Sequence, residues 1–233
     1  MKVTGKDWEL RLGRWQYALR DVVADALIFD GPHSEQTHAS KARRNDGSSP
    51  DGCSPDYDHL TPDDVHAFVS SWAPRCRGWM VSLTDDVLAP VWRAAYRSVG
   101  RYAFAAVPCV ITGMTCRMRG DGPSSWAIYA MVSRPANLEF ASWGTLPGAY
   151  HGPRQAGAKG GRGKPQWLLD AIVRDYSRSG DLVVDPFAGW ASTMIAAVKQ
   201  DRRALGAELD RQAYRKAVTA MREWSAIATW RAA

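Results

Sequence analysis

Cysteine is scarce in this chain. The four present, Cys53, Cys76, Cys109 and Cys116, form no C-x-x-C pair, which removes the usual zinc and dithiol patterns. Free buried thiols in a reducing compartment are the expected state. The opening MKVTGKDWEL is too polar for a signal peptide, and no apolar run is long enough to span a bilayer. No internal repeat is visible. These absences lead to the expectation of a cytoplasmic protein with no metal and no membrane partner.

What is present is an ordinary globular composition with one excess. The 233 residues suffice for one α/β domain with a full core, and 45% apolar with 23% charged residues is unexceptional. Tryptophan is the excess, at 11. Most of these rings are expected in the core or at its rim, with one or two free to act as stacking platforms on loops. The net charge of +6 and pI near 9.3 suit a polyanionic partner without establishing one.

Short strand-like runs alternate with helical ones. Residues 8–12, 25–30, 78–83, 102–107, 126–132, 181–185 and 203–209 are apolar, β-branched or aromatic runs that stop at Gly, Pro or an acid. Thr61-Pro62-Asp63-Asp64 combines a cap residue, a first-turn proline and acids, which predicts a helix start. Asp85 and Asp86 open a second helix that Pro90 delays or kinks. Pro165 opens a third, closing on Gly180. Two more follow at 192–200 and 211–224. Strands alternating with helices imply a largely parallel sheet covered on both faces. Residues 34–60 and 137–163 show no periodicity. Loops of that length within a compact domain are often functional. The first carries Lys41, Arg43 and Arg44, and the second Arg154, Lys159 and Arg162, with Lys164 directly after it.

The segment 181–210, DLVVDPFAGWASTMIAAVKQDRRALGAELD, carries the most information. A strand reaches Asp185, a turn through Gly189 enters a helix, and a second strand ends at the acid Glu208. That is the mononucleotide-binding half of a doubly wound sheet, in which the terminal acid can hold both ribose hydroxyls. A dehydrogenase would satisfy the same outline, but the turn here is not G-x-G-x-x-G. It is Asp-Pro-Phe-x-Gly-x-x-Ser-Thr.

That string resembles motif I of the amino-methyltransferases that act on DNA. The preceding GKPQWLLDAIVRDYSRSGD resembles the same family's motif X. Motif X immediately before motif I is the permuted order of the β class, with the catalytic motif nearer the N-terminus. The resemblance implies a Rossmann-like α/β domain over 1–233, with a mixed, roughly seven-stranded sheet and one antiparallel edge strand, expected at 126–132. It implies S-adenosylmethionine as cofactor, held by Asp30, Lys164, Pro165, Asp185, Pro186, Phe187, Gly189, Ser192, Thr193 and Glu208. One departure is Ala191, where the family has a second glycine. A methyl there would crowd the cofactor's methionine part, and Trp190 would stand at the mouth of the site.

The permuted order places the catalytic motif after an early strand. The matching segment is Asp30-Gly31-Pro32-His33, a degenerate form with Gly for the first proline and His for the aromatic. An exocyclic amino nitrogen is a poor nucleophile because its lone pair is delocalised into the base. A carboxylate and a carbonyl that accept its two protons return density to nitrogen, which then attacks the sulfonium methyl in line. The resemblance gives Asp30 the carboxylate role, Gly31 the carbonyl, Pro32 the stiffening of the loop and His33 the stacking on an extruded base. Ser34, Glu35, Thr37 and His38 extend the loop within reach of base or backbone. Asp at the head favours adenine over cytosine. DNA is the implied partner, contacted through Lys41, Arg43, Arg44, Arg154, Lys159 and Arg162 on the two long loops. Family members often dimerise, so a homodimer is a further expectation, as is a bacterial or phage source. Two other readings stay open: a binding homologue whose turnover is impaired by DGPH and Ala191, and a methyltransferase of RNA or protein.

Overall fold

A computed structural model describes residues 1–42, 58–113, 125–137, 143–155 and 164–232. Ten strands among them form one mixed sheet in the order β1-β2-β10-β9-β3-β4-β7-β6-β8, with β5 beside β7. They are β1 (Lys2–Thr4), β2 (Trp8–Leu12), β3 (Ala26–Asp30), β4 (Met80–Thr84), β5 (Arg101–Ala103), β6 (Val107–Thr112), β7 (Ala127–Pro135), β8 (Tyr150–Pro153), β9 (Leu182–Asp185) and β10 (Arg203–Glu208). The helices are α1 (Trp15–Ala18), α2 (Glu35–Ala42), α3 (Pro62–Trp72), α4 (Ala89–Ser98), α5 (Gln166–Tyr176), α6 (Ser192–Val198) and α7 (Arg211–Ala232).

The core strands β2, β10, β9, β3 and β4 are mutually parallel. Buried parallel strands carry side chains into both faces, and β3 shows it. Ala26 and Ile28 join one buried layer, with Leu168 and Ile172 of α5, Met194 of α6 and Tyr214 of α7. Leu27 and Phe29 join the other, with Phe68 and Trp72 of α3 and Trp92 and Tyr96 of α4. Four tryptophans, Trp8, Trp72, Trp79 and Trp92, are at most 5% exposed, so much of the tryptophan excess is core. The path β9–α6–β10 moves outward from the centre in one direction, and β3 to β4 moves in the other. The order therefore reverses between β9 and β3, where doubly wound sheets leave a crevice at the strands' carboxyl ends.

Several expectations need correction. Among the described residues the sheet has ten strands rather than about seven. Two strands run against the core set: β1, at the edge beside β2, and β7, the one expected at an edge, which lies between β4 and β6 instead. The run 102–107 is split. Its two ends belong to β5 and β6, which both pair with β7, and Phe104 donates its amide to Val132 between them. Helix α5 stops at Tyr176, short of Gly180, where Ser177 Oγ donates back to Val173 O at 2.5 Å. The two supposedly aperiodic stretches hold α2 and β8. The Thr61 start is confirmed with a full capping box: the Thr61 side chain accepts the Asp64 amide, and the Asp64 carboxylate accepts the Thr61 amide.

Because β6 and β8 also run parallel to the core set, the ends of β10, β9, β3, β4, β6 and β8 share one edge of the sheet. The chain leaves β8 through Arg154 and returns at Lys164, so the start of α5 reaches the edge that holds Asp30, Asp185 and Glu208.

Candidate active site

Four adjacent parallel strands each end at an acid: Glu208 on β10, Asp185 on β9, Asp30 on β3 and Asp85 just past β4. The first three were predicted from the motifs. All four stand at the carboxyl edge beside the order reversal.

Glu208 is partly buried at the end of β10. Its carboxylate accepts the Gly189 amide at 2.8 Å with one oxygen and the Asp210 amide at 2.8 Å with the other. It thus ties the turn after β9 to the end of β10. The Leu209 amide also bears on it, and a carboxylate's roughly four acceptor positions are not exhausted by three amides. Burial raises its pKa, against the pull of those amides. Leu209, next to it, is 54% exposed. The turn needs its glycine, since Gly189 has φ +51°.

Asp185 is buried, and desolvation pushes its pKa up to about 7, with Asp30 and Glu208 adding repulsion. The Phe187 amide, 2.9 Å away, and the Thr193 hydroxyl donate to it and oppose the rise. The consequence for stability has a definite sign. A carboxyl whose folded pKa exceeds its unfolded value binds more protons when folded, so it stabilises at low pH and that contribution is lost between about pH 4 and 7. Asp185→Asn, whose amide can still serve both partners, should therefore raise the melting temperature by several degrees at pH 8 and by much less at pH 5, given that ~1 kcal/mol is worth roughly 2–4 °C in a domain of this size. A difference independent of pH, measured by calorimetry, would reject the buried-acid assignment.

Asp30 pairs with Lys164. The ammonium sits 2.7 and 2.8 Å from the two carboxylate oxygens and joins residues 134 apart in sequence. Lys164 Nζ also lies 3.3 Å from His33 Nε2. This is the direct link between the motif X segment and the loop after β3. His33 is 7% exposed, so its ring lies against the ion pair instead of standing open as a stacking face. Gly31 is also buried. A Cβ there would meet the Phe187 ring at an ordinary 3.4 Å, so space alone does not demand glycine. Phe187 itself stacks on Phe68 and packs near Phe29, with ring centroids 5.6 and 5.7 Å away. It forms a floor under the loop.

Ala191 departs from expectation. It is 0% exposed, so its methyl cannot crowd a ligand in the cleft. The cost is conformational. Its φ of +64° is left-handed, a region that disfavours an L-residue by roughly 1–2 kcal/mol. Trp190 is partly buried beneath Lys216, whose ammonium lies 5.1 Å from the ring centroid. Pro165 caps α5, and Gln166 Nε2 donates to Ser192 O at 3.2 Å, holding α5 against the start of α6.

Sequence reasoning missed the role of Asp85. It was read only as a helix opener. Its carboxylate instead accepts the Ser34 amide (2.9 Å), the Ser34 hydroxyl (2.6 Å) and the Thr37 hydroxyl (2.6 Å) on one oxygen, and the Leu88 amide (3.0 Å) on the other. Ser34 and Thr37, expected to reach a ligand, are engaged here. Of the basic residues expected to face DNA, Arg154 is exposed beyond β8. Arg43, Arg44, Lys159 and Arg162 lie outside the described residues, as does the side chain of Lys41. Among the described residues, no group of three or more His, Cys, Asp or Glu could hold a metal ion, and no helix is long and apolar enough to cross a membrane.

Comparison with known proteins bears out the resemblance. Residues 126–219 match the family model described as DNA methylase. A search of curated proteins finds no match. Solved structures share the fold at low identity. M1.HpyAVI in its SAM complex superposes with a TM-score of 0.65 at 15% identity, over 92% of this chain and 98% of that one. TTHA0409 of Thermus thermophilus, complexed with S-adenosyl-L-methionine, gives 0.59 at 18%, over 89% and 90%. PvuII DNA methyltransferase, cytosine-N4-specific, gives 0.66 at 11%, over 92% and 86%.

Proposed function

We propose that this protein methylates the exocyclic amino group of a DNA base, adenine in preference to cytosine, with S-adenosylmethionine as donor. The observation that carries the reading is the Lys164–Asp30 ion pair. It brings the motif X segment, the Asp-Gly-Pro-His loop and, through Phe187, the motif I turn into one cleft at the point where strand order reverses.

The residues suit the cofactor. The Gly189 turn supplies backbone that a ligand can approach, and Glu208 keeps acceptor positions for ribose hydroxyls. Asp185, Glu208 and Asp30 form an acidic row that attracts a sulfonium and an ammonium. When bound, the cofactor supplies an electrophilic methyl group. The chain's own part is to hold the target amino group. Asp30 and the Gly31 carbonyl accept its protons, and Pro32 limits the loop's freedom between them. Lys164 must give up part of its hold on Asp30 as the amino group arrives, because all three ammonium hydrogens are donors and so are the amino hydrogens. His33, packed against Lys164, steadies that exchange. Arg154 and the basic residues of 34–60 and 137–163 would engage phosphate.

Neighbours of both kinds fit the fold, and one is cytosine-N4-specific. The adenine preference rests on Asp at the head of the motif. Incubation with unmethylated genomic DNA and S-[methyl-³H]adenosylmethionine, followed by digestion to nucleosides, tests activity and base together. The expected product is N6-methyladenosine as the deoxynucleoside. N4-methylcytosine would transfer the reading to cytosine. Label in RNA or protein and none in DNA would defeat it.

A further inference from the structure

We infer that Asp85 is a positioning residue for the methyl-transfer loop, acting through Ser34 and Thr37. The inference rests on the function proposed above and adds a residue that neither the motifs nor the resemblance supplies.

The loop between β3 and α2 is held at two points. At its start, Asp30 is gripped by Lys164. At its end, four residues on, Ser34 is gripped by Asp85. Gly31, Pro32 and His33 hang between these anchors. The carbonyl that would accept the second amino proton belongs to Gly31, so its direction depends on where Ser34 is fixed. Asp85 is 8% exposed and Ser34 3%, so water competes little for these bonds. The carboxylate accepts four hydrogens in all, three on one oxygen and one on the other. Ser34 Oγ accepts the Thr37 amide at 3.3 Å as it donates to Asp85, so the same contact opens the first turn of α2. Asp85 thereby couples the end of β4 to the loop of its parallel neighbour β3, whose Asp30 lies opposite Leu83. A surface cap would need none of this burial, and a helix opener for α4 would need only the Leu88 amide.

An asparagine cannot substitute. Its amide nitrogen only donates, and in either orientation it confronts a backbone N–H, of Ser34 or of Leu88. Asp85→Asn should slow single-turnover methyl transfer to unmethylated genomic DNA by roughly ten- to hundredfold, the cost of a small misplacement of reacting groups. Its dissociation constant for S-adenosylmethionine, by calorimetry, should stay within about threefold, under 1 kcal/mol. Ser34→Ala/Thr37→Val, which keeps the carboxylate and removes both hydroxyl donors, should reproduce the slower rate. Combining it with Asp85→Asn should add little, because all three act through one set of bonds. A lower melting temperature with an unchanged rate per folded molecule would overturn the inference. If Asp85→Asn fails to fold, the Ser34/Thr37 double variant decides on the same rate criterion. Asp30→Ala, run in parallel, separates the two levels. If Asp30→Ala is inactive while the Asp85 and Ser34/Thr37 variants run at full rate, only the positioning role falls. If Asp30→Ala is active, the loop is not the catalytic one and the inference falls with that reading.

Discussion

Asp30→Ala should cost about a hundredfold or more in methyl-transfer rate, the usual effect of removing one preorganised acceptor from a reacting group. The folded structure should survive it. Asp30 ends a strand whose other four residues are buried, and the strand is held by backbone pairing with β4 and β9 that the side chain does not touch. The one partner left behind is Lys164, 15% exposed at its side chain and able to turn toward the cleft. A modest loss of cofactor affinity is compatible with the assignment, since Asp30 borders the acidic row that would attract the cofactor's cations. Asp30→Asn makes the sharper comparison. It keeps one acceptor oxygen and the shape of the side chain. Its rate should fall between wild type and Asp30→Ala. Wild-type turnover in Asp30→Ala would confine the resemblance to the cofactor half of the molecule.

Glu208→Ala should weaken S-adenosylmethionine binding by roughly ten- to a hundredfold, on the order of 1 to 3 kcal/mol for hydrogen bonds to a charged group. Two effects add. The ribose loses its acceptors, and the Gly189 amide loses the carboxylate that holds the turn against β10. Glu208→Gln separates them. It retains an acceptor for Gly189 but presents an amide where a second acceptor stood, so its loss should be smaller. The catalytic step at saturating cofactor should change little in either variant, since Glu208 lies two strands away from Asp30 in the sheet order. Calorimetry that finds wild-type affinity in Glu208→Ala would remove this residue from the cofactor site.

The cofactor half was legible from the sequence because its signals are local. Asp185, the Gly189 turn, α6 and Glu208 form one contiguous strand–turn–helix–strand, and each part is set by neighbours within about ten residues. The same holds for the Thr61 cap and for β3 running into Asp30. Periodicity, caps and turn glycines report such short-range preferences. Ala191 was visible as a departure, but its consequence was not. The methyl is buried and the strain lies in the backbone, a distinction that only φ and exposure reveal.

What the tertiary structure alone decided are the pairings between segments far apart in the chain. Helix α2 was invisible because EQTHASKA has no apolar stripe. It starts where it does because Asp85, 51 residues from Ser34, captures that serine. Lys164 reaches Asp30 across 134 residues only because β6 and β8 run parallel to the core and return the chain to the same edge. His33 reads in sequence as a loop histidine ready to stack, and the ion pair behind it draws the ring inside. Strand β7 reads as an edge, and β6 closes over it. A contact of this kind is fixed by strand order and direction. Those follow from how whole elements bury their apolar faces against one another, and no local run of residues encodes them.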